Sequence, residues 1–229
     1  MLTIAFDTST KNLSVALYKD AELILAKDYE GEGYVHSEKL LPFLKEIVES
    51  SGNQLSDLSR VFLGLGPGSY TGLRIGAATA KALGFGLDIP VFGISSNEIL
   101  FWSAKEEAEK EGMDYVATMI DARRDEVYYQ LFDVQGKPMK EIESLVIDQP
   151  FIDELKEKKI LFCGDGAIKF KGRFDFFQSK ISESTIINKV DRLAERLKLL
   201  TDSDTLDLAY FDAQYVKPYQ PGKKKSIFS

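Results

Sequence analysis

The sequence predicts an α/β protein made of two copies of one unit, and three observations predict it. The runs LTIAF, LSVALY and ELILAK are apolar segments of strand length joined by tight turns at DTSTKN and KDA, an antiparallel meander. A helix, a strand, a glycine-rich turn, a second helix and a short buried strand then follow in order, the alternation of an α/β layer. Finally, FDTSTKNLSVALYKD laid over IDARRDEVYYQLFDV without a gap pairs Asp7 with Asp121, Leu13 with Val127, Leu17 with Leu131 and Tyr18 with Phe132, and the apolar alternation stays in phase.

Each element has its own local reason. In HSEKLLPFLKEIVES, Leu40, Leu41, Leu44, Ile47 and Val48 recur at three-to-four spacing and make one face of a helix. RVFLGL is a strand, the glycine turn opens a second helix near residues 73–87, and PVFGI after Pro90 is a short buried strand. SSNEILFWSAKEEAEKEGM is a connecting helix with Ser95 or Ser96 as its cap and charged residues outside. In the second copy, MKEIESLVI, PFIDELKEK and KILFCGDG repeat strand, helix and strand, with Gly164 and Gly166 echoing Gly66 and Gly68. NKVDRLAERLKLL reads as one more amphipathic helix, and QYVKPYQPGKKKSIFS as an irregular strap or frayed end. A boundary near residue 103 divides the chain into 1–103 and 104–229, with the C-terminal segment a candidate to pack back on the first part. Two βββαβα-type subdomains, the second degenerate and each opening on an acidic strand end, are the pattern of the actin-like, ribonuclease-H-like duplication.

Composition narrows the function. A formal net charge of −7 repels nucleic-acid phosphates on average, so an RNA contact needs a local basic patch or another subunit. The start MLTIAFDTST has no basic leader, and the most apolar helix is short and carries Arg74 and Lys81, so neither a signal peptide nor a membrane span is expected and a cytoplasmic protein is. The single cysteine, Cys163, forms no internal disulfide and reads as a small buried apolar residue. One histidine, His36, cannot supply the paired ligands of a hydrolytic zinc or iron site, so no metal and no catalytic residue are assigned.

The stretch LGLGPGSYTGLRIGAATAKALGFGLDIP raises the question of a phosphate loop. A P-loop needs Gly-Lys-Ser/Thr where Gly72 is followed by Leu73 and Arg74, and a dinucleotide fingerprint needs glycine where Tyr70 and Thr71 stand. DTST (Asp7, Thr8, Ser9, Thr10) keeps one carboxylate, three hydroxyls and little bulk, which makes these residues candidates to face a nucleotide phosphate or, equally, a capped turn. The matching turn DARRDE holds Arg123, Arg124, Asp125 and Glu126, whose bulk opposes close phosphate approach and whose two arginines suit either a solvated turn or an acidic partner or RNA. Lysines 223–225 read as a solvated tail.

Taken together, IAFDTSTKNLSVAL, HSEKLLPFLKEI, GLGPGSYTGLRIGAATAKALGFGLDIPVFGISS, ATMIDARRDEVYYQLF and FCGDGA resemble the TsaB family, formerly called YeaZ, across nearly the whole chain. The resemblance implies a non-catalytic subunit of the bacterial machinery that makes threonylcarbamoyladenosine beside the tRNA anticodon. TsaD is its catalytic paralogue, TsaE the ATPase of a ternary complex, and TsaC the source of the activated intermediate. The paralogue bears two histidines on the helix aligned with residues 36–48; here the i+4 neighbour of His36 is Leu40, which leaves His36 a helix-start or interface residue. No intrinsic cofactor is implied, and ATP or ADP is expected only at the face shared with TsaD.

Along the helix after the turn, Gly76, Ala80 and Gly84 share a face at i, i+4, i+8, which admits a close neighbour of the same domain or of another chain. The resemblance favours another chain, TsaD or a second copy. It assigns the contact to Leu40, Phe43, Leu44 and Ile47 of the first helix and Leu73, Ile75, Gly76, Thr79, Ala80 and Leu83 of the second, some of which must be core. Gly66, Pro67, Gly68 and Ser69 then set the entry angle of that helix, and Ser69 or Thr71 caps it. The alternative reading is a stand-alone actin-like ATPase or kinase; peptidase activity lacks a Ser/His/Asp set.

Overall fold

The computed structural model describes residues 1–29, 35–174 and 178–217. Strands β1 (Leu2–Asp7), β2 (Leu13–Lys19) and β3 (Glu22–Tyr29) form the meander, α1 (His36–Ser50) crosses to β4 (Arg60–Gly64), and α2 (Tyr70–Leu87) crosses to β5 (Val91–Ile94). The sheet order is β3-β2-β1-β4-β5, with β1, β4 and β5 mutually parallel neighbours. After α3 (Ser96–Lys110) the same plan recurs. It uses β6 (Tyr115–Asp121), β7 (Glu126–Asp133), β8 (Glu143–Val146), α4 (Gln149–Leu155), β9 (Ile160–Cys163), α5 (Asp165–Lys169) and β10 (Ser179–Ile181), in the sheet order β8-β7-β6-β9-β10. The register of β1 on β2 pairs Asp7 with Ser14, and that of β6 on β7 pairs Asp121 with Val127, so both hairpin turns leave the same end of their sheets.

The first sheet is apolar on both faces. Ile4, Phe6, Val15 and Leu17 point toward α1 and α2, and Ala5, Ala16, Tyr18 and Phe62 point the other way. That second face meets Ile99 of α3, while Leu100, Phe101, Ala104 and Ala108 of the same helix pack on Val116, Ile120, Leu161 and Cys163 of the second sheet. One helix therefore fills the space between the two sheets. The division expected near residue 103 falls inside α3, because this helix belongs to both cores. α4 and α5 cover the outer face of the second sheet, where Phe162 and Phe174 stack at 4.4 Å.

The amphipathic run expected over residues 188–200 is not a single helix. Val190–Arg192 is a 3-10 turn and α6 spans Ala194–Lys198. The backbone N–H of Val190 is given to Ser14 Oγ at 3.0 Å and that of Leu193 to Tyr18 Oη at 3.1 Å, so the Leu193 donor that a helix over this run would give to Lys189 O goes to a side chain of β2. Beyond it the chain runs back along the first subdomain: Leu206 N–H donates to Val91 O at 2.8 Å, Leu206, Leu208 and Phe211 pack beside α2, and Gln214 N–H donates to Leu65 O at 2.7 Å. Among the described residues no helix is long and apolar enough to cross a membrane.

Candidate functional site

The β1–β2 turn and the glycine turn before α2 meet at the ends of β1 and β4. Ser69 N–H donates to Ser9 O at 2.6 Å, and Thr8 Oγ1 donates to Gly72 O at 2.8 Å. A Cβ on Gly68 would lie 2.1 Å from Ser9 O, one on Gly72 2.1 Å from Thr8 O, and one on Gly64 2.0 Å from Asp7 Oδ2. The glycines let the two turns touch, backbone to backbone, where a phosphate loop would leave a cradle. Gly66 has φ 106°, the left-handed region, and its carbonyl accepts Ser96 N–H at 2.7 Å. Pro67 follows it, and Ser69 caps α2 by accepting Gly72 N–H at 3.2 Å; Thr71 is exposed and does not cap.

Asp7, Thr8 and Ser9 are buried, and Thr10 is half-buried with its Oγ1 accepting Asn12 N–H. Asp7 Oδ1 accepts Ser9 N–H at 3.0 Å, Ser9 Oγ–H at 2.7 Å and Asn188 Nδ2 at 3.4 Å, while Oδ2 accepts Ser96 Oγ–H at 3.3 Å. Asn188 Nδ2 also reaches Ser9 Oγ and Ser96 O, and Asn12 Nδ2 donates to Asn188 O. Burial pushes the Asp7 carboxyl above the ordinary value of 3.8, the hydrogen bonds from Ser9 and Ser96 and the nearby His36 opposing it. Of the two readings offered for this turn, residues 7–9 have the hydrogen bonding of the capped turn, with the side-chain oxygens of Asp7, Thr8 and Ser9 engaged inside the chain, while Thr10 keeps a half-exposed hydroxyl. His36 opens α1, buried, with Nε2 3.2 Å from Asn12 O. Cys163 is buried, and desolvation raises its thiol. Among the described residues no group of three or more His, Cys, Asp or Glu could hold a metal.

The second hairpin is built differently. Arg123 and Arg124 are exposed with φ 67° and 52°, and Asp121 accepts Arg123 N–H at 2.8 Å and pairs with Lys169 at 2.7 Å. Asp165 accepts Asp121 N–H at 2.8 Å, and burial raises its carboxyl. Lysines 223–225 lie outside the described residues.

The helix residues assigned to a partner contact divide. Leu40, Phe43, Leu44, Ile47, Leu73, Gly76 and Ala80 are buried under α1 and α2, and only Ile75, Thr79 and Leu83 are half-buried. The small face of α2 is used at home, which corrects the expected outward contact. A Cβ on Gly76 would meet Thr8 Oγ1 at 2.5 Å, and one on Gly84 would meet Val91 Cγ2 at 2.7 Å and Leu208 Cδ2 at 3.0 Å. Ala80→Arg is accordingly expected to unfold the chain, at several kcal/mol for a buried unpaired charge, and to show this as a lost thermal transition. What the two helices present outward is another set: Leu41 (60% exposed), Ala78, Ala82 and Phe85 (85% exposed). The signal for it in the sequence is Phe85, a large aromatic near the end of a helix of small residues. Asn188, Ser96 and Asn12 carry no signal, since their role depends on chain neighbours that the sequence does not bring together.

Two five-stranded sheets of identical order, with one helix between them, are the actin-like duplicated class. A family model described as "TsaD: tRNA N6-adenosine threonylcarbamoyltransferase" matches residues 34–199. The tRNA threonylcarbamoyladenosine biosynthesis protein TsaB of Escherichia coli K12 is 36% identical over 129 residues, 56% of this chain and 54% of that protein. TsaB of Buchnera aphidicola from Schizaphis graminum is 31% identical over 188 residues, 79% of this chain and 87% of that one. YeaZ from Pseudomonas aeruginosa has the same fold, with TM-score 0.74 at 24% identity over 93% of this chain and 99% of that structure. The chain belongs to the TsaB (YeaZ) family. It spans about half the length of the E. coli relative and most of the Buchnera one.

Proposed function

We propose that this chain is a non-catalytic subunit of the bacterial complex that installs the threonylcarbamoyl group on adenosine next to the tRNA anticodon, and that it binds and stabilises TsaD through the outer face of α1 and α2. The observation that carries the reading is a set of apolar side chains, Leu41, Ala78, Ala82 and Phe85, left uncovered on two helices whose other aliphatic residues are in the core or half-buried. A ring as exposed as Phe85 on a helix otherwise committed to packing is what a partner surface requires. The closed hydrogen bonding of residues 7–9 supports the absence of chemistry in this chain. In this reading TsaE joins as third subunit in the cytoplasm, ATP or ADP enters only at the face shared with TsaD, tRNA is met through the complex, and the isolated chain covers the same side chains with a second copy.

The test is to mix the purified chain with TsaD and measure the complex mass with and without ATP. A one-to-one complex is expected, and Ala82→Arg, placed on the exposed arc, is expected to abolish it while shifting the melting temperature by no more than about 2 °C. Retention of the complex by Ala82→Arg, or ATP hydrolysis by the isolated chain at an enzymatic rate, would overturn the reading.

A further inference from the structure

A second surface lies at the start of α2, beside the C-terminal strap. Tyr70 (37% exposed) and Tyr215 (40% exposed) stand with ring centroids 5.3 Å apart, and the Arg74 guanidinium lies 5.1 Å from the Tyr70 centroid with its Nη1 donating to Tyr70 Oη at 3.0 Å. Two residues past Tyr215, Lys217 crosses to the second subdomain, where it pairs with Glu126 and sits 5.7 Å over the Tyr128 ring. Glu126 closes the turn that displays Arg123 and Arg124, both exposed and held there by left-handed backbone. The last strap residues, with Tyr215 among them, thus join Tyr70 and Arg74 of the first subdomain to Arg123 and Arg124 of the second.

We infer that this band, Tyr70, Arg74, Tyr215 and Lys217 with Arg123 and Arg124, is a platform for single-stranded or looped RNA, which stacks a base on the tyrosine pair and lays its backbone toward the arginine turn. The inference rests on the reading above for its partner class and adds the place of contact. Interleaved ring faces and cations are the arrangement by which unpaired nucleotides are held without sequence readout. The chain as a whole carries −7 and repels phosphates, so cations gathered on one band define where an RNA backbone can approach. Asp121, Asp125 and Asp212 are exposed acids beside it and Glu126 pairs with Lys217, so the attraction of the band for phosphate rests on Arg74, Arg123 and Arg124 and is weak in the isolated chain. An acidic protein segment would use the arginines as well; the paired ring faces beside them are what an unpaired base stacks on, and competition by polyglutamate separates the two.

The experiment is fluorescence anisotropy with a labelled, unmodified anticodon stem-loop RNA, on the isolated chain and on its complex with TsaD. Tyr215→Ala is expected to weaken binding about tenfold, and Tyr215→Phe, which keeps the stacking face, to restore it. Arg123→Asn with Arg124→Asn, a residue type that tolerates the left-handed turn, is expected to lower the slope of log affinity against log salt by about one to one and a half. Unchanged affinity and slope in these variants, absence of RNA binding by both chain and complex, equal binding of a blunt RNA duplex, or displacement by polyglutamate as effective as by RNA each overturns the platform. The first of these with the TsaD complex intact leaves the subunit reading standing, whereas failure of Ala82→Arg to affect assembly strikes that reading alone.

Discussion

Gly72→Ala is expected to destabilise the chain by about 3 kcal/mol or more, a fall of roughly 6–12 °C in melting temperature for a protein of this size. Helix propensity alone argues the reverse, since alanine inside a helix is worth about 1 kcal/mol over glycine. The contact decides. The added methyl would sit 2.1 Å from Thr8 O, a backbone atom of a fully buried residue whose own hydroxyl is tied to Gly72 O. Neither group can rotate away, so the two turns must separate and break the Ser69–Ser9 bond as well. Gly86→Ala in the same helix is the control: nothing lies within 4 Å of its added methyl, and the residue is exposed. There the propensity term stands alone, and a gain of up to about 1 kcal/mol is expected. Thermal melts of the two variants check both signs, and equal melting of Gly72→Ala and the parent would show that the turns do not touch.

These two glycines also mark what the sequence could and could not tell. Period and repetition are local quantities, so the meander, the helices and the doubling of the sheet were legible: Asp7 over Asp121 and Leu17 over Leu131 predict that one plan recurs, and the two sheets, β3-β2-β1-β4-β5 and β8-β7-β6-β9-β10, have that common plan. The sheet order makes the duplication explicit, even though α5, the counterpart of α2, has only five residues. A face of small residues, in contrast, announces a close neighbour without naming it. The neighbours of Gly76 and Gly84 are Thr8, some seventy positions upstream, and Leu208, more than a hundred downstream, and no spacing rule connects them. The C-terminal strap was legible as a candidate to pack back on the first part, but its start near residue 205 and its course were not: it is held by single backbone bonds to Val91 and Leu65, which leave no period behind. The broken helix at residues 190–198 shows the same limit, because its amphipathic pattern is real and is overruled by Ser14 and Tyr18 of a distant strand.

Asp7→Asn is expected to change the pH dependence of stability in a direction opposite to that of removing a salt-bridged aspartate. Burial raises the folded-state pKa of Asp7 above the unfolded value near 3.8, so between those two values the folded chain binds more protons than the unfolded one. Stability carried by this group is therefore fully present below about 3.8 and is lost as pH rises through the raised folded value, the reverse of a salt-bridged aspartate. In Asp7→Asn the loss disappears. The amide oxygen can keep the bonds from Ser9 N–H, Ser9 Oγ–H and Asn188 Nδ2, and the amide nitrogen can donate to Ser96 Oγ, whose hydroxyl is free to turn. The difference in unfolding free energy, variant minus parent, should rise with pH from about 4 and then level off. Asp7→Ala separates charge from geometry: it leaves the Ser9 and Asn188 donors without an acceptor in a dry interior, at about 2–3 kcal/mol, independent of pH above the window. Urea unfolding of the three proteins at closely spaced pH values measures both effects. A variant-minus-parent difference for Asp7→Asn that stays flat from pH 4 to 8 would mean that the carboxylate is hydrated, and that the hairpin ends are open to solvent in the place where an actin-like ligand would enter.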